Sequence, residues 1–108
     1  MWPWPSRSTL GADERAAARR ACIHMAAAYA ACRAANAAVA DRACAPLAGA
    51  LAECLGRKAA PVATDAYAEC VSKGGSKCEK ELRALEAALK RERLWPPAPP
   101  APRRRRQA

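Results

Sequence analysis

Apolar side chains along this chain fall in short stripes with helical spacing. One stripe runs Cys22, Met25, Tyr29, Cys32 and a second runs Cys44, Leu47, Leu51, Cys54. Steps of three, four and three residues keep each quartet on one side of an α-helix, about 80° wide and about 15 Å long. The two segments therefore predict two helices carrying copies of one pattern. Folded back antiparallel, they face their stripes together and set Cys32 opposite Cys44 and Cys22 opposite Cys54. Farther on, Leu82, Leu85 and Leu89 mark another amphipathic helix, with Glu79/Arg83 and Glu86/Lys90 at the i,i+4 spacing of supporting ion pairs. No stretch approaches the roughly 18 apolar residues of a membrane span.

Polar and helix-breaking residues divide these stripes. Asp13 is the expected cap of the first helix, with Glu14 suiting its positive end, and the helix is expected to finish near Asn36. Asp41 is the expected cap of the second, Gly56 its stop, and Pro61 the start of something new, so residues 56–61 form an internal boundary. Beyond it the pattern recurs in worn form. Tyr67 precedes Cys70 by three residues, as Tyr29 precedes Cys32, while Ala60 and Ala88 stand where a full copy would place the other two cysteines. Gly74-Gly75 breaks this second hairpin, Ser76 with Glu79 reads as a capping box, and the last helix is expected to reach Leu94 before Pro96-Pro97. Its partner, from Pro61 to Ser72, is shorter. The overhang at Leu85, Leu89 and Leu94 must then pack on the first hairpin or on another protein.

The predicted fold is all-α: a disulfide-stapled antiparallel helical hairpin, then a degenerate second hairpin and an extended basic tail. The segments are an N-terminal arm (1–12), the first hairpin (13–56), the second (57–94) and a Pro/Arg-rich tail (95–108). Composition explains the need for staples. Hydrophobic residues make up 52% of the chain, but 31 of them are alanine and only 14 are Val, Ile, Leu or Met. Burial of so little apolar area barely offsets conformational entropy in a chain of 108 residues. A disulfide is typically worth about 2–4 kcal/mol. Mirror symmetry of the hairpins selects Cys22–Cys54, Cys32–Cys44 and Cys70–Cys78 among the connectivities that six cysteines allow.

Charge and candidate chemistry point away from catalysis. The net charge is +9; residues 13–94 carry 14 basic and 10 acidic side chains, a balance of +4, and Arg7 with Arg103, Arg104, Arg105 and Arg106 supplies the other five. An arginine run can bind RNA phosphates or acidic lipid headgroups by releasing counterions. No Cys-x-x-Cys occurs, the single histidine, His24, lies two places from Cys22, and cysteines about 15 Å apart on one helix cannot share a zinc ion. The expectation is a protein that is not an enzyme, with no catalytic residues, no cofactor, no metal and no small-molecule substrate. Paired cysteines imply an oxidising compartment, yet Met1 to Gly11 lacks the basic start and apolar run of a secretory signal.

Cys22/Cys32 and Cys44/Cys54, each pair with an apolar residue three before its second cysteine (Tyr29, Leu51), resemble the twin Cys-x9-Cys, or coiled-coil-helix-coiled-coil-helix, family of the mitochondrial intermembrane space. Over residues 13–94 the pattern is most similar to the subgroup with two such hairpins in tandem, which includes an accessory subunit of respiratory complex I. The resemblance implies import without a cleaved presequence and trapping by the intermembrane-space disulfide relay, which resolves the conflict between cysteines and N-terminus. It also implies that the relay oxidoreductase engages the stripe Cys22, Met25, Tyr29, Cys32. The expected role is a structural accessory or assembly subunit of a respiratory-chain complex, complex I first, peripheral to the inner membrane. Leu85, Leu89, Leu94, Trp95 and Arg103 to Arg106 are the expected contacts with that large complex. The alternative is a mitochondrial ribosomal protein that meets rRNA through its basic surface and tail.

Overall fold

The computed structural model describes residues 10–74 and 77–97. Within them the chain is helical: α1 (Ala12–Ala21), α2 (Ile23–Ala35), a 3-10 turn (Ala37–Val39), the four-residue α3 (Ala40–Ala43), α4 (Ala45–Ala59), α5 (Pro61–Ser72) and α6 (Glu79–Arg91). Disulfides join Cys22 to Cys54, Cys32 to Cys44 and Cys70 to Cys78, with Cα atoms 6.0, 5.9 and 6.0 Å apart. The protein is an all-α stack of stapled hairpins.

The helix expected from Asp13 to Asn36 is present with one jog. At Cys22 the backbone turns to φ −110° and ψ 18°, but Cys22 N–H still donates to Ala18 O and Ala26 N–H to Cys22 O. The helical ladder passes through the bend. Cys44 (−104°, 11°) and Cys78 (−103°, 25°) take nearly the same conformation ahead of α4 and α6. Three of the four helices that form the two hairpins thus begin on a cysteine bent in the same way, and the fourth, α5, begins on Ala60 with a different geometry (−148°, 64°). The backbone carries the repeat where cysteine remains and departs from it where alanine stands.

Several end signals act otherwise than expected. Gly11, not Asp13, caps α1; its N–H donates to Glu14 Oε1 at 2.8 Å, and Asp13 sits in the first turn. Asp41 caps nothing. It lies inside α3 and its carboxylate reaches Arg33 at 3.2 Å. Gly56 does not stop α4, which runs on to Ala59. Its missing side chain serves close packing instead: a Cβ there would run into Thr64 Oγ1 and come within 2.8 Å of Leu85 Cδ1. Gly49, two turns earlier in α4, makes the same kind of room for Tyr67, which lies across it. Gly74, at φ +74°, ends the second hairpin's first helix as expected. Ser76 and Gly75 lie outside the described residues.

The last helix ends at Arg91 rather than Leu94. Arg93 adopts φ +63°, Arg93 N–H donates to Lys90 O and Leu94 N–H to Leu89 O at 2.8 Å. These two bonds make a Schellman motif, with a non-glycine residue in the left-handed position and Leu94 turned back onto Leu89. The pairs Glu79/Arg83 and Glu86/Lys90 do not close; ion pairs form instead at Arg33–Asp41 and Glu69–Lys73.

One core serves both hairpins. Leu51, Ala52 and Leu55 of α4 meet Leu85 and Leu89 of α6, Leu94 beyond it, and Ala18 and Cys22 of the first helix. α4 is the hub, touching α1, α2, α3, α5 and α6.

Candidate interaction surfaces

The predicted contact residues divide sharply. Leu85, Leu89 and Leu94, expected to face a partner, are 0%, 0% and 2% exposed. The overhang packs on the first hairpin, because Leu51 and Leu55 offer the apolar surface it needs. It is therefore not a contact surface. Trp95 is half-buried, its ring centroid 6.0 Å from that of Tyr29. Arg103, Arg104, Arg105 and Arg106 lie outside the described residues.

The residues of the stripe Cys22, Met25, Tyr29, Cys32 differ in exposure in the oxidised fold. Cys22 is buried, Tyr29 and Cys32 are partly covered, and Met25 is 42% exposed. Ala26, rather than Met25, packs against the core. His24 is exposed.

Around Tyr29 the chain builds a short polar relay. The Arg33 guanidinium lies 5.6 Å from the Tyr29 ring centre, donates to Tyr29 Oη at 3.4 Å and to Asp41 Oδ1 at 3.2 Å. The bond to Asp41, then that to Tyr29, holds the Arg33 pKa above its ordinary value. Asp41 thus ties α3 to α2, and Trp95 adds the C-terminal segment. Between this cluster and α6 lies an open trough of about 510 Å³, lined by Tyr29, Arg33, Ala48, Leu82, Glu86 and Trp95. On its α6 wall, burial raises the Glu86 pKa, partly offset by Lys90 and Arg83. Burial and the carboxylates of Glu53 and Glu86 raise that of Tyr67.

A second depression, about 220 Å³, opens between α1/α2 and the C-terminal segment. Its floor is Leu51, Leu55 and Leu94, its walls are Ile23, Ala26 and Ala27, and Arg19 and Arg20 stand at its rim. Arg19 is fixed there by a 2.7 Å bond from its guanidinium to Arg93 O. No pattern in the sequence points to this notch, because its lining comes from three distant segments.

As to metal chemistry, Cys70, Cys78 and Glu81 hold their donor atoms within 4.8 Å of one another. The two sulfurs are bonded to each other, which takes away the thiolates a metal would need. Among the described residues no helix is long and apolar enough to cross a membrane. Comparison with protein-family models, curated proteins and solved structures finds no match.

Proposed function

We propose that this chain is a non-enzymatic structural protein, an accessory or assembly subunit of a mitochondrial respiratory-chain complex, complex I first, on the intermembrane-space side. The observation that carries the reading is the first hairpin itself: two Cys-x9-Cys helices closed by Cys22–Cys54 and Cys32–Cys44. Such a body keeps its shape without a large core, and it leaves Ile23, Met25 and Val39 exposed for contact. Its oxidation would fall to the disulfide relay during import. The test is gentle solubilisation of mitochondria followed by a native gel. Comigration with a respiratory complex supports the reading; migration free of every such complex ends it.

The exposed basic side chains Arg19, Arg20, Arg57, Lys58, Lys90 and Arg91 favour a second reading, contact with rRNA phosphates in the mitochondrial ribosome. Arg103 to Arg106 would add to that contact, or to one with acidic lipid. Cosedimentation with ribosomal subunits that falls with salt, and falls again on removing those four arginines, would select it over the first.

A further inference from the structure

We infer that the notch between α1/α2 and the C-terminal segment is a docking site for an acidic segment of another protein, which inserts one large apolar side chain into it. The inference holds whichever large assembly the chain joins. At about 220 Å³ the notch is smaller than the roughly 300–1,000 Å³ of small-molecule sites. It has room for a single Leu, Met or Phe side chain, the size of anchor that dominates protein interfaces. Its floor is already built from core residues, Leu51, Leu55 and Leu94. Ile23, 56% exposed, extends the apolar wall outward.

Charge selects the occupant. Arg19 and Arg20 stand at the rim, and Arg19 is held in place by its bond to Arg93 O, which keeps a guanidinium at the mouth at little further entropic cost. Carboxylates flanking the anchor complement this pair. The chain's own end segments do not: residues 1–9 contain Arg7 and no acid, and residues 98–108 contain Arg103 to Arg106 and no acid. A lipid surface also fits poorly, since the apolar atoms line a concavity that a membrane cannot fill.

The test uses the full, oxidised chain and a fluorescein-labelled stapled helical peptide with one Phe flanked on both sides by glutamates, read by anisotropy. Two companions carry lysine for glutamate or serine for Phe. The expected result is binding of the glutamate peptide alone. Ala27→Phe, which fills the notch from an exposed helical position, should weaken that binding at least about tenfold. Arg20→Glu should weaken it about fivefold or more and gain affinity for the lysine peptide. Thermal melts check that both variants fold. The inference is overturned by equal binding of the glutamate and lysine peptides, by no binding at millimolar peptide, or by a folded Ala27→Phe that binds as before. Preferential binding to vesicles with phosphatidylserine overturns it too, as does a dimer of this chain that Arg20→Glu dissolves.

Discussion

Helices α2 and α6 are both 13 residues long, and they are held in place by opposite means. α2 has no buried residue; it is fastened by Cys22 at its start and Cys32 near its end. α6 carries Leu85, Ala88 and Leu89 into the core and has a single bridge, at Cys78 before its first turn. Where the chain is alanine, covalent bonds stand in for apolar area. Where it has leucine, one bridge is enough, and the cysteines that a full repeat would place at 60 and 88 are alanine.

Removing the bridges should separate the two halves. In the chain-entropy view the stabilisation grows with loop length, about 3.7 kcal/mol for Cys22–Cys54, about 2.9 for Cys32–Cys44 and about 2.6 for Cys70–Cys78, from sequence separations of 32, 12 and 8. Cys22 is also the buried member of the set most joined to the core. Thermal melts of the three paired serine variants should fall in that order. Losing Cys22–Cys54 should free α2, with hydrogen exchange faster there than in α6. An equal loss from Cys70–Cys78 would contradict the contrast between the helices.

Leu85→Ala should cost about 3 kcal/mol by leaving a cavity among Leu51, Leu55 and Leu89. Because that core belongs to both hairpins, the whole protein should melt in one transition at lower temperature. Two transitions would show two independent units. Gly56→Ala should cost about 1–3 kcal/mol, since the new Cβ collides with Thr64 and Leu85. A glycine with open space beside it in a helix interior would give the opposite sign, because alanine is the better helix former, and a urea melt distinguishes the two.

That glycine shows what the sequence can and cannot convey. The spacing of Cys22, Cys32, Cys44 and Cys54 is legible because a disulfide needs only two positions and a helical period. Leu82, Leu85 and Leu89 announce α6 for the same reason, and Gly74 its turn. Gly56 misleads because a stop and a close approach look alike until the opposing residue is known, and Thr64 and Leu85 come from other helices. Asp41 looks like a cap until Arg33 is seen beside it. Glu92 is likewise invisible in the sequence: its carboxylate accepts Leu10 N–H at 3.1 Å, 82 residues away.

Two smaller effects refine the account of α6. Arg93→Gly should stabilise by about 0.5 kcal/mol, as relief of the left-handed strain exceeds the added unfolded-state entropy. A calorimetric melt measures it. Glu86 gives the smallest effect and a pH signature. Its pKa is raised in the fold, so between the ordinary value and the raised one the folded chain binds more protons than the unfolded chain. Stability therefore falls as pH rises from the ordinary carboxylate value through the raised one. Glu86→Gln should melt slightly higher than the native protein at pH 7, and the gap should close below the ordinary carboxylate range. A gap independent of pH would remove Glu86 as its cause.

The contact of Leu10 with Glu92, and of Arg19 with Arg93, brings the entry and exit of the described fold to one place. A chain arranged in this way is close to a closed ring. Joining residues 10 and 97 by a short flexible linker and opening the chain between α5 and α6, where Cys70–Cys78 would still clasp the new ends, should give a circular permutant with the same three bridges.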